Sequence, residues 1–219
     1  MYQPAALPKP AKERGKVAPC KLAHVVLRTS RYNKVIDFYK LLLEAEVMYQ
    51  NQQITFLTYD EEHHRVAIAN VPGLFPKLKA LAGVDHFAFT FENLGDLLHM
   101  YQRVKDHGIV PMWCINHGGT ISFYYEDPDH NVVEMQIDVF HTNEQIDEYL
   151  QGDDYNSNPI GVDLDPDELS RRFAAGEPFE ELIKRDQIGH RHVATLPRRY
   201  LGWFHWVIAN IAYKLGISM

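Results

Sequence analysis

The apolar positions of the chain change period several times. Short β-type runs, AHVVL at 23–27 and DHFAF at 85–89, are each followed by a stretch with helical spacing. After the first run Val35, Ile36, Tyr39, Leu42 and Leu43 recur three and four residues apart, which predicts an amphipathic helix over 33–43. A second helix is expected over 93–107, with Asn33 and Asn93 as N-caps and Gly108 just past the second helix end. In the first half, strands are expected over 22–27, 46–50, 53–58 and 65–70, with an acidic turn at Asp60–Glu62. In the second half they are expected over 84–91, 109–113, 120–125 and 131–137, with a turn at Asp127-Pro128-Asp129.

These segments form an internal repeat. The two strand–helix openings lie 62 residues apart, and ITFLTYDEEHHRVA at 54–67 aligns with ISFYYEDPDHNVVE at 121–134, 67 residues apart. The second copy therefore holds five extra residues between helix and hairpin, where loops absorb insertions. Each copy reads β-α-β-β-β, and one such sheet leaves a face uncovered, so two should pack together. The expected fold class is α+β. An N-terminal arm covers 1–20, a paired βαβββ domain covers 21–140 (modules 21–71 and 84–140), and a C-terminal extension with helices covers 141–219.

The extension reads as a polar loop over 152–161, a helix opened by Asp165-Pro166-Asp167-Glu168, another after Glu177-Pro178, and an aromatic segment over 200–217. That last segment carries Trp203, Phe204, Trp206 and Tyr213, and is expected to pack on the body or on a second subunit, making a homo-oligomer. Contact of residues 200–217 with a membrane surface, helped by Arg191, Arg198 and Arg199, is the less favoured reading.

Composition narrows the field. Hydrophobic residues at 46% and charged residues at 23% suit a globular protein. A net charge of −7 offers no basic face for phosphate backbones, so nucleic acid is excluded as a partner. Cys20 and Cys114 stand far apart without metal spacing. Residues 1–17 carry no apolar run, and the reading is a reduced, cytoplasmic protein. The twelve histidines are where chemistry is to be sought.

Alternation along strands sets Phe87, Phe89 and Phe91 towards the helix and His86, Ala88 and Thr90 to the opposite face. On the last strand Val133, Met135 and Ile137 face the core, and Glu134 faces the side of His86. By the repeat, His24 occupies the position of His86. Two histidines and one carboxylate are the ligand set of non-haem iron sites that keep coordination positions open. The counterpart of Glu134 in the first copy is Ala67, which binds no metal, so three protein ligands are expected and not four.

With these residues in hand, the chain resembles the vicinal oxygen chelate superfamily and, within it, the type I extradiol ring-cleavage dioxygenases in their one-domain form. Ala23-His24, Asp85-His86, His63-His64-Arg-Val-Ala, and Ser122-Phe123-Tyr124 ten residues (counted from Tyr124) before Glu134 carry the resemblance, which spans roughly 20–140. A departure is His130, where such turns usually carry glycine. The resemblance implies Fe(II) held by His24, His86 and Glu134, with Mn(II) as the alternative ion and O2 as co-substrate. It implies His64 as acid/base, Tyr124 as hydrogen-bond partner of the substrate oxygens, and His117 as a substrate contact. The substrate would be a small aromatic diol of catechol type. Rival readings are a glyoxalase-like metal-dependent isomerase, opposed by Ala67, and a non-catalytic resistance-type binding protein, which needs a cavity but no metal.

Overall fold

The computed structural model describes residues 19–217, so the expected N-terminal arm lies outside the described residues except for its last two. The chain runs β1 (Val25–Thr29), α1 (Tyr32–Leu43), β2 (Glu46–Gln50), β3 (Ile54–Thr58), β4 (Val66–Asn70), then β5 (His86–Thr90), α2 (Leu94–Asp106), β6 (Trp113–Asn116), β7 (Thr120–Glu126) and β8 (Val132–Asp138). The extension adds α3 (Asn143–Gln151), α4 (Asp153–Ser157), β9 (Val162–Asp163), α5 (Pro166–Ala174), α6 (Phe179–Leu182), α7 (Arg198–Leu201) and α8 (Trp203–Lys214). The two βαβββ modules expected from the repeat are both present.

One sheet has the order β1-β4-β3-β2 and the other β5-β8-β7-β6-β9. In each, the first strand pairs in parallel with the last strand of its module, and the rest pair antiparallel. The helix between first and second strands is the crossover that a parallel pair requires. Both helices pack inward: Val35, Tyr39 and Leu42 of α1 and Leu97, Met100 and Val104 of α2 are buried in one core with Leu57, Phe123 and Met135. The modules are also joined by Tyr39, whose hydroxyl donates to the buried Asp127 at 3.2 Å, and by Arg103, which reaches Glu44 at 2.8 Å.

Several boundaries differ from the expectation, each for a physical reason. β1 begins at Val25 rather than 22, because the Arg65 guanidinium binds the carbonyls of Leu22 and Ala23 in place of a strand partner. β6 starts at Trp113 rather than 109, since Pro111 has no N–H for the ladder. Asn93 caps α2 through Asp96 N–H, but α1 begins behind Arg31 without a side-chain cap, so Asn33 is not an N-cap. The stretch 152–161 is not a loop throughout, since α4 occupies part of it. Asp165 caps α5 as expected, accepting from Asp167 and Glu168 N–H.

The repeat itself needs one correction. Phe56 pairs with Ala67, whereas Tyr124 pairs with Glu134. The first hairpin is therefore one residue longer, and Phe56, not Leu57, stands where Tyr124 stands in the second module. The glycine departure is explained as well: His130 adopts φ 66°, the left-handed conformation the turn requires.

The last helix packs only in part on the body of the chain. α8 buries Ala209 and Ala212, while Trp203, Phe204, Ile208, Ile211 and Tyr213 are exposed. Among the described residues no helix is long and apolar enough to cross a membrane.

Candidate functional site

The second sheet builds most of the site. β8 lies between β5 and β7, and Glu134 is in register with Ala88 on one side and Tyr124 on the other. Residues directly opposite across strands share a face. His86, two residues before Ala88, shares it too. The local alternation of three neighbouring strands thus brings His86, Glu134 and Tyr124 together.

Their polar atoms form one chain. His86 Nε2 lies 2.9 Å from Glu134 Oε2, and His86 Nδ1 lies 2.7 Å from Asp85 Oδ2. The Tyr124 hydroxyl donates to Glu134 Oε1 at 2.9 Å and lies 3.0 Å from His117 Nε2. His117 Nδ1 donates to the Ile160 carbonyl at 2.6 Å, which leaves Nε2 of the neutral ring as an acceptor. The Tyr124 proton therefore faces two acceptors.

The environment tunes each group. The hydrogen bonds to Asp85 and then Glu134 raise the His86 imidazole to about 9, and the same bond to His86 lowers Asp85 to about 2. Burial pushes Glu134 up, but hydrogen bonds from His86, Ser122 and Tyr124 outweigh it and leave the carboxyl below its ordinary value. Burial, reinforced by the Glu134 charge, drives the Tyr124 phenol far up, so it stays protonated. Burial lowers His117, which keeps it neutral.

His117 is held from behind. Gly118 has φ 89°, and the Tyr149 hydroxyl donates to the His117 carbonyl at 2.9 Å. A Cβ on Gly118 would lie 1.9 Å from that hydroxyl oxygen, so only glycine lets α3 close on this loop. An aromatic wall backs Tyr124. Trp113 stacks on it with centroids 5.1 Å apart, and Trp113 Nε1 donates to Asp163 of β9 at 2.6 Å. Asp163 also pairs at 2.8 Å with Arg191, which is buried and so forms part of this wall rather than a membrane-facing patch.

The first module contributes differently. His24 lies just ahead of β1, and its ring sits 4.4 Å from that of His64, which stacks on Phe56 at 4.5 Å. Burial and then the neighbouring His24 and His63 imidazoles lower His64, which favours its neutral, proton-accepting form. His24 and His86 both line one cavity of about 450 Å³, with Tyr59, Arg65, Ala88 and Phe89. That volume suits a small ligand.

The structure thus joins His86, Glu134, Tyr124 and His117 in one network, and His24 with His64 in another. The three expected ligands do not converge: among the described residues no group of three His, Cys, Asp or Glu side chains is placed to hold a metal ion. His86 and Glu134 belong to one sheet and take each other as partners, whereas His24 belongs to the other module and takes His64. Sequence reasoning missed Asp85 as the partner of His86, although adjacency could have flagged it. It also missed Trp113 and Tyr200, which no local pattern marks.

Comparison with known proteins agrees with this architecture. Residues 21–135 match the Glyoxalase/Bleomycin resistance protein/Dioxygenase superfamily. Biphenyl-2,3-diol 1,2-dioxygenase 2 of Rhodococcus globerulus is 45% identical over 163 residues, 74% of this chain and 86% of that protein. Biphenyl-2,3-diol 1,2-dioxygenase 3 of the same organism is 44% identical over 167 residues, 75% of this chain and 88% of the relative. The solved structure of a glyoxylase/bleomycin resistance protein/dioxygenase domain from Frankia sp. EAN1pec is similar at a TM-score of 0.48 and 15% identity, covering 55% of this chain and 99% of that one. The expectation of an extradiol ring-cleavage dioxygenase, an oxidoreductase, is borne out by the two Rhodococcus relatives. With its paired βαβββ modules and a family match over 21–135, the chain belongs to the glyoxalase/bleomycin resistance protein/dioxygenase superfamily.

Proposed function

We propose that this chain cleaves the ring of a catechol-type diol, with biphenyl-2,3-diol the first substrate to test because the relatives' names state it. The proposed cofactor is one Fe(II), held by His24, His86 and Glu134, with Mn(II) as the second ion to test. The donor chemistry fits: the imidazoles of His24 and His86 line one cavity, and the Glu134 carboxylate meets His86 at 2.9 Å. A carboxylate behind His86 Nδ1 fixes the tautomer that leaves Nε2 free to ligate. When bound, such an ion would supply the O2 chemistry.

The remaining roles fall to side chains. The Tyr124 hydroxyl, kept protonated and held between Glu134 and His117, donates to a substrate oxygen and steadies charge that develops there. His117 orients that hydroxyl. His64, neutral and beside His24, takes and returns the substrate proton. Trp113 and Tyr124 keep water from the floor of the site. The reading extends to a cytoplasmic enzyme that works as a homo-oligomer, the exposed apolar residues of α8 providing the contact.

The observation that carries this reading is the unbroken His117–Tyr124–Glu134–His86 chain. Its test is O2 uptake by Fe(II)-loaded protein given biphenyl-2,3-diol, then simpler catechols. Uptake matched by a yellow ring-opened product is expected. Protein that holds iron yet takes up no O2 with any diol would overturn it.

A further inference from the structure

The C-terminal extension reaches the site through one side chain. Tyr200, on the short helix α7, donates its hydroxyl to Asp85 Oδ2 at 2.7 Å. That same oxygen accepts from His86 Nδ1 at 2.7 Å. Asp85 stands just ahead of β5, and its side chain is 69% exposed. A carboxylate so open to water has rotamer freedom, and its one bond to His86 Nδ1 does not fix it. A second anchor does.

Tyr200 is well placed to be that anchor. Its ring lies 4.9 Å from Trp113 and 5.4 Å from Tyr124, so it is wedged into the aromatic wall of the site. The helix that carries it is tied to the modules: Lys79 bonds the Arg199 carbonyl, and Arg199 pairs with Glu126 at 3.2 Å. The extension is therefore fixed to the linker between modules and to the end of β7, and it presents one rigid phenol to Asp85.

We propose that Tyr200 is a positioning residue for His86: through Asp85 it fixes the tautomer and ring orientation that aim His86 Nε2 at the metal position beside Glu134. This rests on the reading of His86 as an iron ligand. Partners of this kind behind a metal-binding histidine typically change metal affinity by about 10–100-fold when removed.

The test is the Fe(II) dissociation constant of the full chain, measured by competition with a chromophoric chelator. Tyr200→Phe keeps the ring on Trp113 and Tyr124 and removes only the hydroxyl. It should weaken Fe(II) binding about 10–100-fold while the melting temperature of the iron-free protein stays at the wild-type value. Asp85→Asn, at an exposed position, should lose a similar factor. The double variant should be no weaker than the weaker single one, because Tyr200 acts through Asp85. Tyr213→Phe on α8 is the control and should bind as wild type does. Fe(II) affinity of Tyr200→Phe within about twofold of wild type would overturn the proposal, as would losses that multiply in the double variant. A wild-type chain that takes up no Fe(II) would instead defeat the iron reading of the site, and this inference with it.

Discussion

Replacing Tyr124 by Phe isolates one hydroxyl. The ring is 4% exposed and is held by Trp113 on its face and by His86 and Tyr200 at its edges, so the apolar packing survives the change. What is lost is the bond to Glu134 at 2.9 Å and the contact with His117 at 3.0 Å. A hydrogen bond to a charged group contributes about 1.5–3 kcal/mol. If the hydroxyl acts on a substrate oxygen as charge develops, the barrier rises by that amount. At about 1.4 kcal/mol per factor of ten, kcat/KM falls about 10–150-fold. The loss should appear mainly in kcat, since the interaction strengthens in the transition state. Glu134 keeps His86 as partner, so stability should drop by the low end of that range, about 1.5 kcal/mol, a fall of roughly 3–6 °C in melting temperature. The assay is steady-state O2 uptake with Fe(II)-loaded protein, alongside thermal melts. A second variant, His117→Gln, probes the shared proton: the double variant should lose less than the product of the single losses. A kcat/KM for Tyr124→Phe within about twofold of wild type would refute the assigned role.

Three further outcomes are expected. His64→Ala should retain Fe(II) but slow turnover by about 10² or more, and unchanged turnover in O2-uptake assays would remove His64 from the mechanism. Gly118→Ala should destabilise the protein by about 2–4 kcal/mol, combining about 1 for a left-handed alanine with overpacking against Tyr149; denaturant melts check this, and a wild-type midpoint would show that α3 does not close on the loop. Burial holds the Asp127 carboxyl above its ordinary value, against hydrogen bonds from Asn131, Asp129 and Tyr39. Its folded pKa is therefore raised, so its favourable contribution is complete at pH below the unfolded value near 4 and is lost as pH rises through the folded pKa. Melting temperatures of wild type should fall relative to Asp127→Asn between pH 4 and 7, and a relative gain would reverse the assignment.

What the sequence made legible was whatever local periodicity decides. Strand alternation put His86 and Glu134 on one face, and the register of β5, β8 and β7 places them there with Tyr124. Helical spacing and the caps at Asn93 and Asp165 located α2 and α5. Illegible were the features set by side chains distant in sequence. Arg65 decides where β1 starts by binding the carbonyls of Leu22 and Ala23, and no pattern in 22–27 announces it. Tyr200 lies 115 residues from the Asp85 it bonds. Likewise, coincident Ile and Phe residues in the two hairpins suggested one constant offset, but the first hairpin is a residue longer and the coincidence does not survive in the ladder.

That one-residue shift bears on how a duplicated fold came to hold a one-sided site. In the second module Tyr124 and Glu134 face each other across a strand pair; at the same two places the first module has Phe56 and Ala67. The hydroxyl and the carboxylate are both missing there, so that sheet offers a ring and a methyl group instead of a proton donor and a ligand. Phe56 is not idle, because His64 stacks on it, and His64 in turn sits against His24. The first module thus supplies imidazoles on an aromatic platform, and the second supplies the buried carboxylate with its phenol. Under the proposed function, a site assembled from two such unlike halves would favour a single orientation for a substrate bearing two adjacent oxygens. Installing a carboxylate by Ala67→Glu should then not restore binding to a Glu134→Ala variant. The new carboxylate would be buried opposite Phe56 with no phenol to donate to it, while His24, the counterpart of His86, is engaged with His64, so it would be costly to keep charged. Fe(II) retention by the double variant, measured against Glu134→Ala alone, separates the two views: recovery would mean that the halves are interchangeable after all.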